Sequence, residues 1–172
     1  MKVWPQVVNQ TINLAWTIFG FAPVLLFWSD HYEPRRMLIS LALCLPFLLT
    51  PRSVFNRLQI SKQRRFYERI GVRRAQAFTQ NGLLTNRLIK KKMPEYALIR
   101  SRGDLHNYGK RMTVYNVYHI TCLAFFMISA VWALTEKQYG VAILIFICNI
   151  PYNVYPLLIQ QYNRIRIRQH LE

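Results

Sequence analysis

Residues 139–168 read YGVAILIFICNIPYNVYPLLIQQYNRIRIR, an apolar run that becomes polar along one side and ends in arginines. On an α-helix, residues three or four positions apart share a face. Five residues follow that spacing here: Asn149, Tyr152, Asn153, Pro156 and Gln160. The roughly 20 residues between positions 140 and 160 match the ~30 Å thickness of a hydrocarbon core. The stretch therefore predicts a membrane span with a polar stripe and a basic exit.

Three further apolar runs, at 3–28, 37–50 and 115–134, predict an all-α integral membrane protein with about four transmembrane helices. The run 37–50 is short for a span. It either crosses or forms a re-entrant or interfacial piece, and we favour crossing. The six-residue link before the last span makes the last two helices antiparallel neighbours. The chain thus divides into an N-terminal helix pair at 1–50, a basic segment at 51–114 and a helical hairpin with a basic tail at 115–172.

The segment 51–114 contains sixteen lysines and arginines but only three acidic residues. Within it, residues 53–70 and 83–92 place apolar side chains on one helical side and bases over the rest. This pattern predicts basic amphipathic helices at a cytoplasmic membrane surface rich in anionic lipids. Pro94 ends the second helix because proline cannot continue the hydrogen-bond ladder.

The net charge of +16 suits a nucleic-acid-binding protein, but the distribution of the charge argues against one. Long charge-free runs alternate with basic segments, whereas a nucleic-acid-binding domain of this size would spread its core over short elements. With the N-terminus in the cytoplasm, only Arg35, Arg36 and Lys137 among the 23 bases lie outside. We therefore expect a multi-pass protein of the bacterial inner membrane, with both termini cytoplasmic and anionic lipids as partners.

Residue counting predicts that polar side chains from three spans meet at one depth, in the inner leaflet. His119 lies about 24 Å below the outer link, and Asn153 lies about 20 Å below it on the neighbouring helix. Asn116 is one turn from His119, and Asn9 and Asn13 lie toward the cytoplasmic end of the first span. Such side chains are costly in lipid, so they form either a site or interhelical hydrogen bonds.

His119 is the candidate general base because it is the only histidine within an apolar run. The three cysteines are scattered through apolar runs, and no metal-ligand spacing occurs, so no metal site is predicted.

Two patches resemble the glycosyl-4,4'-diaponeurosporenoate acyltransferases, small bacterial membrane proteins of the staphyloxanthin pathway. Residues 153–166, NVYPLLIQQYNRIR, are similar to the exit motif of that family, and residues 67–74, YERIGVRR, are similar to its basic segment. His119 matches a family histidine near the start of the third span. The residue three positions earlier is Glu in the family and is Asn116 here. The resemblance covers roughly residues 66–166.

The resemblance implies transfer of a fatty acyl group to a sugar hydroxyl of a glycosylated carotenoid or similar lipid. His119 would be the catalytic base, acyl-CoA a candidate donor, and no cofactor would be bound. Candidate substrate-binding residues are Asn116, Asn149, Asn153, Gln160, Tyr162 and Asn163. Candidate phosphate- or headgroup-binding residues are Arg73, Arg74, Arg164 and Arg166. The alternative is a non-catalytic subunit of a larger membrane complex, or a lipid- or pigment-binding accessory protein.

Overall fold

The structure, a computed structural model, describes residues 3–99 and 101–171. These residues form α-helices, one π-helical turn and no β-strand, so the all-α prediction is confirmed. The α-helices are α1 Val3–Asp30, α2 Pro34–Leu48, α3 Arg52–Arg57, α4 Arg64–Arg69, α5 Val72–Ala77, α6 Leu83–Lys92, α7 Arg102–Thr135, α8 Tyr139–Asn149 and α9 Tyr155–Leu171, with the π-helical turn Ile150–Val154 between the last two. Lys2 and Arg100, which contribute to the predicted charge asymmetry, lie outside the described residues.

Three helical segments of the described chain are long and apolar enough to cross a membrane: Val3–Asp30, Gly103–Thr135 and Tyr139–Gln169. The predicted number of four is wrong because α2 has only 15 residues. A helix of that length reaches about 22 Å, which is less than the ~30 Å of a hydrocarbon core. The third predicted span is part of a longer helix that begins at Arg102, because no proline interrupts the polar residues before it.

Short helices fill the basic segment, and the single helix predicted over 53–70 is wrong. The helix α3 ends at Arg57 and α4 begins at Arg64. Between α4 and α5 the chain turns at Gly71, whose φ of 80° is strained for residues with a Cβ atom. The second predicted helix is confirmed as α6, which ends two residues before Pro94. Contact of these helices with a membrane surface stays a prediction.

The chain forms two compact units. Unit 1 comprises Met1–Trp16, Gln59–Met112 and Leu158–Glu172, and unit 2 comprises Thr17–Leu58 and Thr113–Leu157. A buried cluster at the centre of unit 1 joins the end of the chain to α4 and α5, through Tyr67, Val72, Ile159, Tyr162 and Ile165.

Side-chain contacts fix the helix directions in unit 2. The Trp28 indole donates to Ser129 Oγ at 3.0 Å near the ends of α1 and α7. Eleven residues earlier in each helix, Thr17 and Tyr118 both bond to the Tyr152 hydroxyl, so α1 and α7 run parallel. The helix α2 runs back along α7, because Arg36 pairs with Glu136 and, one turn further, Ser40 Oγ accepts a hydrogen bond from Trp132 at 3.0 Å. The predicted antiparallel arrangement of the last two spans is confirmed by the contacts between α7 and residues 149–153.

Candidate active site

A buried chain of polar groups joins α7 to the end of α8 in unit 2. Nδ1 of His119 lies 3.3 Å from Oδ1 of Asn153. Nδ2 of Asn153 donates to Oδ1 of Asn149 at 2.7 Å, and Nδ2 of Asn149 donates to the Leu123 carbonyl at 3.4 Å. Asn149 and Asn153 are 2% and 0% exposed. The predicted meeting of His119 and Asn153 is therefore confirmed, whereas their roles stay predictions.

The π-helical turn directs these residues at α7. Pro151 has no N–H and cannot bond to the carbonyl four residues back. The Tyr155 N–H instead closes a wider turn by bonding to the Ile150 carbonyl. Single π turns inside α-helices are frequent at functional sites. Here the turn gives Asn149, Tyr152 and Asn153 contacts with α7.

Two tyrosine rings lie beside the imidazole, and their hydroxyl groups form a chain with that of Thr17. The Tyr118 and Tyr152 hydroxyls are 2.7 Å apart, and the Tyr152 hydroxyl is 3.2 Å from Oγ1 of Thr17. The Tyr152 ring centroid lies 6.0 Å from that of His119, and the Tyr118 ring centroid lies 5.1 Å from it. Tyr152 belongs to the polar face visible in the sequence, but no spacing marks Tyr118 or Thr17. These two residues could be found only once the helices were placed together.

Asn116, Asn9 and Asn13 were also expected at the depth of His119, and their surroundings differ from one another. Asn116 is buried, with 3% exposed. Asn9 and Asn13 both bond to a loop of unit 1: Asn9 Oδ1 accepts the Asn81 N–H at 2.6 Å, and Asn13 Nδ2 donates to Gln80 Oε1 at 2.9 Å. Nδ2 of Asn9 donates to the Pro5 carbonyl within α1. The amides in the first part of α1 thus hold the turn at residues 79–82, which helical periodicity does not reveal.

Tyr162 belongs to a charged network in unit 1. Its hydroxyl donates to Oε1 of Glu68 at 3.1 Å, and the same oxygen accepts a hydrogen bond from Arg64 Nε at 2.8 Å. The guanidinium groups of Arg64 and Arg166 lie 5.8 and 5.7 Å from the Tyr162 ring centroid, within cation–π range. The hydrogen bond from Arg64 is the main reason that the pKa of Glu68 lies below its usual value.

Asn163 and Gln160 differ in how their amides are satisfied. Asn163 accepts a hydrogen bond from Gln76 Nε2 at 2.9 Å and donates one to the Tyr108 hydroxyl at 3.0 Å. Oε1 of Gln160 is buried and has no hydrogen-bond partner among the described residues. An unsatisfied buried acceptor costs about 1–3 kcal/mol, so a ligand hydroxyl that donates to it would be stabilised.

The four predicted phosphate-binding arginines occupy α5 and α9. Arg73, Arg74 and Arg166 are exposed, and Arg164 is half-buried. Arg73 is near enough to Glu68 to contribute to the lowered pKa of that carboxyl. In the described parts of the chain, no group of three His, Cys, Asp or Glu side chains is placed to hold a metal ion.

A family model matches residues 51–172, well over half of the chain, and its description is glycosyl-4,4'-diaponeurosporenoate acyltransferase. The matched residues include α7, α8, α9 and the basic segment. No curated protein and no solved structure matches the chain. The resemblance read from residues 66–166 is thereby confirmed.

Proposed function

This chain belongs to the glycosyl-4,4'-diaponeurosporenoate acyltransferase family, and we propose that it transfers a fatty acyl group to a sugar hydroxyl of a glycosylated carotenoid or a similar lipid. The observation that carries the proposal is the imidazole of His119, which the amides of Asn153 and Asn149 hold between apolar helices. The donor is an acyl thioester such as acyl-CoA, and the reaction requires no protein-bound cofactor.

His119 acts as the general base. Its free ring nitrogen takes the proton of the acceptor hydroxyl while that oxygen attacks the thioester carbonyl. A C–O bond forms, the C–S bond of the tetrahedral intermediate breaks, and the imidazolium returns the proton to the departing sulfur. A well-placed general base contributes about 10²–10⁴-fold to the rate.

The hydroxyl group of Tyr118 stabilises the oxyanion. The chain of Thr17, Tyr152 and Tyr118 has three hydroxyl hydrogens and two mutual hydrogen bonds. The Tyr118 hydroxyl also bonds to Cys122, whose sulfur is a weak acceptor that an oxyanion would displace. Tyr118 is 42% exposed and stands beside the His119 ring, which suits it to donate to the thioester oxygen.

The other polar residues bind and orient the substrate. Gln160 has the strongest support because its buried carbonyl oxygen lacks a partner and would accept a sugar hydroxyl. Tyr162 and Asn163 act by holding α9 against its neighbours in unit 1, since both already make hydrogen bonds to the protein. Asn116, one turn before the base, and the amide pair Asn149 and Asn153 complete the set.

Arginines of α5 and α9 bind the phosphate groups of the acyl donor or of lipid headgroups. Arg73, Arg74, Arg164 and Arg166 lie on α5 and α9, and an arginine can make two parallel hydrogen bonds to one phosphate. This role agrees with the concentration of bases in the segment that we place in the cytoplasm.

The proposed location is the bacterial inner membrane, with both termini in the cytoplasm. The parallel direction of α1 and α7, together with the antiparallel direction of the last span, supports placing both ends of the chain on one side. The excess of bases then identifies that side as the cytoplasm. The turns 31–33 and 136–138 then lie outside, and the excess of bases lies inside.

The test is an acyl-transfer assay with the full-length protein purified in detergent. Acyl-CoA and a series of glycosylated carotenoid or glycolipid acceptors are supplied, and the product is detected by mass spectrometry. We expect transfer by the wild type and a loss of about 10²–10⁴-fold in His119→Gln. His106→Gln, at an exposed position of α7, is the matched control and should keep full activity.

Two results would overturn the proposal. One is an absence of transfer by the wild type with every acceptor, and the other is full activity in His119→Gln. Absent transfer together with co-purification in a fixed ratio with another membrane protein would instead support the non-catalytic alternative.

A further inference from the structure

The amide groups beside His119 form a hydrogen-bond chain with one direction. It starts at the main-chain carbonyl of Leu123, which can only accept, so Asn149 must present its NH₂ group there. The carbonyl oxygen of Asn149 is then left for the NH₂ group of Asn153, at 2.7 Å. The side-chain carbonyl of Asn153 consequently faces Nδ1 of His119, at 3.3 Å.

This direction decides which ring nitrogen of His119 carries the hydrogen. Oδ1 of Asn153 is an acceptor, so Nδ1 must be the donor. A neutral imidazole has a single N–H, and the other nitrogen keeps its lone pair. The main-chain carbonyl of Tyr152, the residue next to Asn153, is a second acceptor within reach of the ring. Nδ1 is the nitrogen that faces the Asn153 acceptor, so we assign the single hydrogen to Nδ1 and leave Nε2 without one.

We propose that Asn149 and Asn153 are positioning residues that hold neutral His119 in the Nδ1–H tautomer, with Nε2 free to take a proton. The tautomer is argued from the hydrogen bond to Asn153, whereas its catalytic consequence rests on the proposed function. In that reaction, Nε2 receives the proton of the acceptor hydroxyl. A base held in the wrong tautomer would point its N–H at that hydroxyl and could not accept from it.

Burial makes this arrangement effective. Asn153 is 0% exposed and Asn149 is 2% exposed, so water does not compete for their amides. A break in the chain would leave an unsatisfied buried polar group, which opposes rotation of either amide. The π-helical turn contains Asn153 and follows Asn149 directly, so it fixes both amides relative to α7.

The tautomer can be measured without any substrate. Full-length protein with ¹⁵N-labelled histidine is studied by NMR in detergent at about pH 8, where an ordinary imidazole is neutral. The signals of His119 are identified by their loss in His119→Gln. We expect the wild type to show Nδ1–H and a nitrogen without hydrogen at Nε2. A wild-type spectrum with the hydrogen on Nε2 would overturn the inference, and this result requires no variant that could fail to fold.

Asn153→Leu tests whether the Asn153 side chain determines the tautomer of His119. With the acceptor removed, we expect the Nε2–H tautomer to increase, while Tyr118→Phe, which leaves the amide chain intact, should keep the wild-type tautomer. An unchanged tautomer in a folded Asn153→Leu protein would contradict the proposal. In the acyl-transfer assay, Asn153→Leu should lower kcat about 10–100-fold with little change in KM, as expected for a residue that orients a reactive group.

The two readouts separate this inference from the proposed function. An Nδ1–H signal that depends on Asn153 supports the tautomer assignment even where the wild type transfers no acyl group. In that case the claim that Nε2 accepts the proton of the acceptor hydroxyl is rejected together with the proposed function. If transfer occurs but kcat of the folded Asn153→Leu protein is unchanged, the positioning role is wrong and the proposed function stands.

Discussion

Gly20 lies against the ring of Tyr152, so closely that a Cβ atom added to Gly20 would be 2.6 Å from Cδ2 of that ring. The same ring stacks on Phe126 with centroids 5.8 Å apart, and its hydroxyl lies between those of Tyr118 and Thr17. Because Gly20 has no side chain, α1 leaves room for the ring of Tyr152, whose hydroxyl is the middle one of the three. Gly20 supports the candidate site although it contributes no chemical group to it.

Gly20→Ala should displace Tyr152 and destabilise unit 2. Overpacking of a buried contact costs about 1–3 kcal/mol, which lowers the melting temperature by about 2–4 °C for each kcal/mol. The measurement is thermal unfolding in detergent, together with acyl transfer. The matched control is Gly140→Ala, since a Cβ atom at Gly140 meets nothing within 4 Å. Equal melting temperatures for the two variants would contradict the close approach of Gly20 to Tyr152.

Tyr118→Phe should lower kcat by about 10²-fold, the loss typical of removing one oxyanion donor. The phenyl ring remains next to His119, so the substitution removes the hydroxyl with little change in packing. The control is Tyr139→Phe on the exposed start of α8. Equal kcat values in Tyr118→Phe and the wild type would exclude the hydroxyl from transition-state stabilisation.

Acid should weaken unit 1 through Glu68. The pKa of Glu68 is lowered chiefly by the hydrogen bond from Arg64, and is also lowered by that from Tyr162. Since the folded pKa lies below the unfolded value of about 4.3, the ionised carboxylate stabilises the fold above that pH. This stabilisation is lost as the pH falls through the folded pKa.

We expect the melting temperature to fall more steeply below about pH 4.3 in the wild type than in Glu68→Gln. The pKa of Glu136 is likewise lowered, mainly by its hydrogen bond from Arg36, so a part of the acid sensitivity remains in Glu68→Gln. The difference between the wild type and Glu136→Gln measures the acid sensitivity that Glu136 contributes. The same steepness in Glu68→Gln as in the wild type would remove Glu68 as the cause.

Residue counting from a shared link was enough to predict the meeting of His119 and Asn153. Both helices leave the link at 136–138, and a rise of 1.5 Å per residue places the two side chains at similar depth. Periodicity alone could not predict the break between α3 and α4. The Ile60 N–H bonds to Gln161 Oε1 at 3.0 Å, and the Ser61 N–H bonds to the Tyr67 hydroxyl at 3.1 Å. Gln161 lies about a hundred residues away along the chain, where no local pattern can reveal it.

The candidate site was predictable only where it lies on one helical face. Asn149, Tyr152 and Asn153 share such a face, and the lone histidine of the third span stands out by composition. Thr17 is an ordinary residue of an apolar helix until α1 is packed next to Tyr152. The sequence also predicted four spans because the run 37–50 is apolar, but α2, the helix that forms there, is too short to cross.

Labelling of single cysteines should find the two short turns on the same side of the membrane. The contact of Arg36 with Glu136 joins the start of α2 to the end of α7, so residues 31–33 and 136–138 lie at one end of unit 2. In a background with Cys44, Cys122 and Cys148 replaced by alanine, Tyr32→Cys and Lys137→Cys should react with a membrane-impermeant maleimide in intact cells. Lys62→Cys and Arg168→Cys should react only after permeabilisation if the basic segments lie in the cytoplasm, as we propose from the distribution of positive charge. Labelling of Tyr32→Cys and Lys137→Cys from opposite sides would contradict the helix directions, and labelling of Lys62→Cys in intact cells would invert the orientation.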